Sequence, residues 1–377
     1  MLGLLVRALL LLAAMMPRLA RACRETPTAF VYGYSYSYRL CPHRKGSAMR
    51  CSTASEDFSS RSDDIRKAFS RSIESESAEF SLSAAHLLAH SLSLPPSAFS
   101  AIHNGRFSEL EILAGDKFPP PPDSDWLRTY NECVSRLRED EPVQYIIGSW
   151  DFYCLTNLLL KPPILIPRPE TEELVDWVVE DTKGRPSTTG EPGAANVLDV
   201  GVGSGCIGLS ILTSIPSVKL SGLDPNPEAV TLTRRNIEKF ESGFLPNSTY
   251  DSLSTCSIAE YPVDPSLDVI VANPPYIPTA EMNGLEPKVK LFESSLALHG
   301  GEDGLDVVRD LLCYCEMVIE RSGKPLTLYV EASNGHPAMV ENIISSRKAP
   351  CIYTIEKRRD FAGKERFFKL VLTPKAL

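Results

Sequence analysis

Between residues 57 and 94 the apolar positions fall at helical spacing. Ile65, Phe69 and Ile73 are four apart, and Ala84, Leu87, Leu88 and Leu92 repeat the interval. Pro95-Pro96 stops the pattern. A second helical stretch, 107–114, ends at Gly115, and the prolines from Pro119 to Pro122 form a stiff connector. A third helix is predicted over 126–138, ahead of Glu141-Pro142. These elements predict a small helical domain over 56–140.

From Asn196 short continuous apolar runs alternate with helical periods. Strands are predicted at 196–200, 218–223, 267–272, 326–331, 351–356 and 367–372. Helices are predicted at 207–215, 227–240, 304–321 and 337–347. This alternation predicts an α/β, doubly wound, mostly parallel sheet. A third strand is required somewhere in 243–265, where no apolar run marks it.

Charge divides the chain into a basic start and an acidic body. Residues 1–55 hold eight basic side chains against one acid, Glu25. Taking that +7 from the formal net charge of −9 leaves −16 for the rest. An acidic body repels a phosphate backbone, so no stable nucleic-acid binding is expected. The apolar run from Ala8 to Met16 is too short to span a membrane. It fits either a secretory signal peptide or a mitochondrial presequence; basic, acid-free character continuing to Glu56 favours the mitochondrion. The ten cysteines are scattered without a CxxC pair, with Cys23, Cys41 and Cys51 in the leader, which fits reduced thiols in a reducing compartment.

Candidate chemistry sits at the ends of predicted strands. Asp199-Val200-Gly201-Val202-Gly203-Ser204-Gly205 follows a buried strand and opens a helix, where glycine lets backbone approach a ligand. Gly203, Gly205 and Gly208 also fit the GxGxxG of nicotinamide sites, but that match begins two residues late for its usual register. Asp224, nineteen residues past Gly205, ends the second strand and can accept from the ribose hydroxyls of an adenosine group. The competing role is a helix N-cap, since Pro225-Asn226-Pro227 opens the next helix.

Asn273-Pro274-Pro275-Tyr276 closes the strand at 267–272. Two prolines remove two N–H groups, so the corner presents acceptors. The Asn273 side-chain oxygen and the Pro274 carbonyl can take both hydrogens of an –NH₂, while Tyr276 offers a flat face to a planar acceptor. Such a site enriches a poorly nucleophilic amide nitrogen by positioning and electrostatics.

Over 142–373 the chain resembles the HemK/PrmC family, the glutamine-N5 methyltransferases of peptide chain release factors. The matching stretches are EPVQYIIGSWDF (141–152), ILIPRPETEELVDWV (164–178), LDVGVGSG (198–205), ANPPYIP (272–278), ALHGGEDGLDVV (297–308) and RRDFAGKERF (358–367). The resemblance implies a Rossmann-like class I S-adenosylmethionine methyltransferase domain of seven strands over 164–377. A linker hairpin over 141–163 would join it to the helical part, which looks like the family's substrate-recognition domain. It implies S-adenosylmethionine bound by Asp199, Gly201, Val202, Gly203, Ser204, Gly205, Asp224 and Asn273. It also implies a glutamine held by Asn273, Pro274, Pro275 and Tyr276, with Arg168, Glu170 and Thr171 lining the mouth. Asn273, Pro274 and Tyr276 are then the catalytic set, and release factors in the mitochondrion are the partners of a monomeric enzyme.

Two stretches depart from the family pattern. The acid that the family carries after strand three, near the adenine, has only Asp251 as a candidate within NSTYDSLSTCSIAEYP (247–262). Phe292-Glu293-Ser294 replaces the usual Tyr-Glu-Pro, a change expected to affect loop shape alone. His86 and His90 have i, i+4 spacing, but with no third ligand they are read as flanking a bundle core, and no metal is predicted. The alternating Phe30, Tyr32, Tyr34, Tyr36 and Tyr38 receive no function. Two rivals are an adenine amino-methyltransferase acting on nucleic acid and an idle binding protein that keeps the fold. The acidic body opposes the first; the intact Asn273 and glycine loop oppose the second.

Overall fold

A computed structural model of the chain describes residues 55–74, 76–94, 98–105, 107, 110, 125–183 and 194–375. The leader's charges, its three cysteines, the aromatic run and the proline connector lie outside the described residues. The first helical period forms two helices, α1 (Ser55–Ser72) and α2 (Ala78–Ser91). The break follows from capping: Ser77 accepts from the Phe80 N–H at 3.1 Å and starts a new helix there. With α3 (Ala98–His103) and α4 (Trp126–Arg138) they bury Phe69, Leu87, Leu88, Ile102, Tyr130 and Val134 in one core. Of the helix expected over 107–114, only residues 107 and 110 are described.

A short α5 (Val143–Ile147) ends at Gly148, whose φ of +78° is readily reached by glycine. It leads into the antiparallel hairpin β1 (Ser149–Phe152) and β2 (Leu155–Leu159). Trp150 packs against both the helical core and the core beside the main sheet, so the hairpin is apolar cement between them.

After α6 (Pro169–Lys183), strand and helix alternate as β3 (Ala195–Val200), α7 (Cys206–Leu212), β4 (Val218–Leu223), α8 (Pro227–Phe240), β5 (Thr249–Ser254) and β6 (Val269–Ala272). Two short helices, α9 (Pro287–Phe292) and α10 (Ser295–Leu298), precede α11 (Asp306–Ser322). The chain closes with β7 (Leu326–Glu331), α12 (His336–Ser346), β8 (Cys351–Arg359) and β9 (Glu365–Pro374). Seven strands form one sheet in the order β5-β4-β3-β6-β7-β9-β8, parallel except for β9, which runs antiparallel to both neighbours. The doubly wound, mostly parallel sheet expected from the alternation is therefore present.

The missing third strand is β5. It is an edge strand whose residues are exposed or half-buried, so it carries no apolar run to betray it. In the sheet's centre, side-chain alternation divides the core. Leu198, Ile270 and Leu328 face one side, and Val197, Val271 and Tyr329 face the other. Both faces are covered, which is why the central strands read as continuous apolar runs. The order reverses at β3, which lies between β4 and β6, and this opens a crevice at the carboxyl ends of β3 and β6. No helix among the described residues is long and apolar enough to cross a membrane.

Candidate active site

The glycine loop leaves β3 at that crevice. Gly201, Gly203 and Gly205 all have positive φ, at +78°, +55° and +82°, so the loop turns through conformations that side chains disfavour. A Cβ at Gly205 would also meet Thr233 at 3.0 Å. The loop is tied to the tip of β4: the N–H groups of Gly201 and Val202 donate to the Leu223 carbonyl, and Gly203 N–H donates to Asp224 Oδ2 at 3.0 Å. The other carboxylate oxygen of Asp224 accepts from Asn226 N–H at 2.8 Å. Capping of α8 falls to Asn226, whose side chain accepts from Glu228 N–H. Asp224 is thus free of the N-cap role and joins loop and strand tip, with burial raising its carboxyl above the usual range.

Asp199 and Ser204 are both buried. Asp199 is fully buried beneath the loop, its Oδ2 accepting from Gly208 N–H at 3.0 Å and its carboxyl pushed up to about 7 by burial. That bond ties the end of β3 to the first turns of α7, while Oδ1 of Asp199 is left without a hydrogen-bond partner. Ser204 is buried as well, and its carbonyl accepts from Asn236 Nδ2 at 2.9 Å. Asn236 also bonds both the N–H and the carbonyl of Leu159, and so locks the β1–β2 hairpin to the loop. Gly208 lies in α7, where a Cβ would come within 2.9 Å of Asp199 and 3.0 Å of Leu220; its smallness serves helix-to-sheet packing.

The Asn273–Tyr276 corner emerges from β6 beside this loop. Val200 pairs with Ala272, so Gly201 and Asn273 are the first residues off adjacent parallel strands. Asn273 Nδ2 donates to Thr171 Oγ1 at 3.1 Å, and Thr171 donates to Glu331 Oε2 at 2.7 Å. Thr171 is 1% exposed, so it does not line the mouth as expected; it holds Asn273 from behind. Glu331, the last residue of β7, is missed by sequence reasoning because its acidic residue merely ends a strand pattern. Burial pushes its carboxyl up to about 7. The phenol of Tyr276 is pushed up to about 12 by burial, so it stays protonated at neutral pH.

Behind the corner runs the Gly300–Gly304 turn. A Cβ at Gly300 would sit 2.6 Å from the Pro275 carbonyl oxygen, and one at Gly304, where φ is +80°, would crowd the Tyr276 carbonyl. Gly300 N–H also donates to the Ile277 carbonyl at 2.9 Å. These glycines let a second backbone press against the corner and fix its path.

Arg168, expected at the mouth, is engaged in an ion pair. Its Nη2 lies 2.7 and 2.6 Å from the two oxygens of Glu293, whose side chain is 1% exposed. The family departure at Phe292-Glu293-Ser294 has a defined consequence: Ser294 N–H donates to the Pro163 carbonyl at 2.8 Å, a bond that proline cannot make. Glu170 is half-buried at the start of α6, within electrostatic reach of Tyr276 and Glu331.

Asp251 is placed away from the crevice. It lies in the bulge of β5 and lines a pocket with Asn196, Lys219 and Ser266 at the amino ends of the strands, opposite the loop, so it cannot contact an adenine there. His86 stacks on Phe99 with ring centroids 3.7 Å apart, and His90 is exposed. Among the described residues no group of three His, Cys, Asp or Glu is arranged to hold a metal ion.

A family model described as the methyltransferase small domain matches residues 187–294. A human protein named MTRF1L release factor glutamine methyltransferase is 36% identical over 254 residues, covering 66% of this chain and 73% of that one. Release factor glutamine methyltransferases of Gloeobacter violaceus and Thermodesulfovibrio yellowstonii are 35% and 34% identical over 234 and 252 residues. They cover 61% and 64% of this chain and 74% and 81% of their own lengths. A doubly wound sheet, a glycine loop tied to the acid of the next strand and an Asn-Pro-Pro-Tyr corner beside it accompany this identity: the chain belongs to the release factor glutamine methyltransferase family.

Proposed function

We propose that this protein methylates the side-chain amide nitrogen of the glutamine in the Gly-Gly-Gln motif of peptide chain release factors, in the mitochondrion, using S-adenosylmethionine. The observation that carries this reading is the Asn273 amide: its nitrogen is bonded to Thr171 behind it, which leaves its oxygen for an incoming –NH₂. The Pro274 carbonyl supplies the second acceptor. Together they draw on both amide hydrogens and aim the nitrogen lone pair, while Tyr276 flanks the planar group. No strong base is needed, because the methylated amide sheds its proton readily to solvent.

S-adenosylmethionine would supply the electrophilic methyl on its sulfonium. The residues at the crevice suit it: the positive-φ glycines keep side chains off the loop, and Asp224 offers acceptor capacity at the tip of β4. Calorimetric titration of the purified protein is expected to show S-adenosylmethionine binding and none of NADH. Asp224→Ala should weaken it by about 1–3 kcal/mol, the range for lost charge-assisted hydrogen bonds. NADH binding without S-adenosylmethionine binding would sink the cofactor assignment. Failure of the protein to add 14 mass units (about one CH₂) to a release factor's glutamine would sink the substrate assignment.

The basic, acid-poor residues 1–55 support import into mitochondria. A fluorescent protein fused behind this segment is expected to colocalise with a mitochondrial dye; appearance in the endoplasmic reticulum would identify a signal peptide instead.

A further inference from the structure

Three elements meet behind the reacting corner. Thr171 comes from the first turn of α6, Glu331 ends β7, and Asn273 follows β6. Thr171 and Glu331 are both 1% exposed, so water does not compete for the bonds between them. The distances are 2.7 Å from Thr171 Oγ1 to Glu331 Oε2 and 3.1 Å from Asn273 Nδ2 to Thr171 Oγ1.

The donor count decides which way the Asn273 amide faces. A hydroxyl owns one hydrogen, and an ionised carboxylate can only accept. Above about pH 7, where Glu331 is ionised, the Thr171 hydrogen is therefore committed to Glu331, and what Thr171 turns towards Asn273 is a lone pair. Only the nitrogen end of the Asn273 amide can satisfy it. The oxygen is thereby directed forward, to the side where the acceptor –NH₂ arrives. We infer that Glu331 is a positioning residue for methyl transfer, acting through Thr171 to hold the Asn273 carbonyl oxygen towards the substrate. The inference rests on the proposed reading that the acceptor is a glutamine –NH₂.

Removing the carboxylate releases the hydroxyl hydrogen to the Asn273 oxygen. The amide then rotates by half a turn and sets its own –NH₂ against the substrate's, donor against donor. Shape and burial would survive; the hydrogen-bond sense would not. A role confined to folding makes a different forecast, because it moves stability and leaves the turnover of the folded enzyme alone.

The test uses the full chain with a release-factor domain carrying Gly-Gly-Gln. Thr171→Val, which keeps the shape and deletes the hydroxyl, is expected to lower kcat by up to about 10²-fold, the scale for a misaligned catalytic group. KM and the Kd for S-adenosylhomocysteine should change far less. Thr171→Ser, which returns the hydroxyl, is expected to restore kcat, and Glu331→Gln should fall between, because its side chain can either accept from Thr171 or donate to it. Restoration by Thr171→Ser with loss in folded Thr171→Val supports the relay. A folded Thr171→Val whose kcat stays within about threefold of wild type, a difference of about 0.6 kcal/mol, overturns it. A nuclear Overhauser contact between the Asn273 side-chain amide protons and Thr171 is expected in wild type protein labelled at asparagine. Its absence overturns the relay even if wild type transfers no methyl group to the release factor, an outcome that would separately refute the proposed function.

Discussion

Asn273→Ala is expected to lower the rate of methyl transfer to a release factor by about 10²–10³-fold, the effect of losing one preorganised electrostatic contact, about 2.7–4 kcal/mol. The side chain leaves β6 at the sheet's switch point, beside the first glycine of the loop, with its nitrogen bonded to Thr171. Alanine deletes one of the two acceptors for the substrate amide and lets that amide turn away from the line of attack. Because Asn273 is only half-buried and bonds neither the glycine loop nor Asp224, cofactor affinity and melting temperature should move little. Asn273→Asp is the sharper probe, since it keeps the shape but places a charge beside the reacting nitrogen and removes the donor to Thr171. Turnover of Asn273→Ala within about threefold of wild type, or about 0.6 kcal/mol, would show that the corner does not act by holding the amide.

Arg168→Met is expected to destabilise the fold by about 3 kcal/mol, the lower end of what breaking a buried pair costs, because the arginine side chain is 31% exposed. Glu293 is the reason for the size of the effect. Its carboxylate is enclosed, and burial already raises its pKa despite the guanidinium against it. Without Arg168 the carboxyl binds its proton more tightly in the folded chain than in the unfolded one. The penalty is then full above the raised folded pKa and fades as pH falls towards the unfolded carboxyl value of about 4.3. Denaturant unfolding should show a larger loss at pH 8 than at pH 5. The double variant Arg168→Met with Glu293→Met should regain most of the stability, because no charge is left buried. Equal penalties at both pH values would contradict this account.

β4, β7 and α8 end where their apolar spacing ends: β7 is buried at every position, β4 at four of six, and α8 buries one face against the sheet. β5 escaped because an edge strand with solvent on its flanks needs no such run. The residues of the site divide in the same way. The glycines and Asn273-Pro274-Pro275-Tyr276 were legible because backbone chemistry restricts which residues can occupy a tight turn or a donor-free corner. Asp199, Ser204 and Thr171 are placed at ligands by their sequence neighbours alone, and in the fold all three are buried.

Sequence by itself determined the alternation of strand and helix after residue 196 apart from β5, the doubly wound sheet, the loop that leaves β3 and the acceptor corner that leaves β6. Each of these is a local property: periodicity sets the element, and glycine or proline sets the turn. Tertiary structure decided what stands behind the corner. Thr171, Asn273 and Glu331 are brought together from positions up to 160 residues apart, and Arg168 finds Glu293 across 125. No local rule links such positions. Their partnership follows from the neighbours that β6 and β7 acquire in the sheet, and from the need of each buried polar group to be paired once water has left.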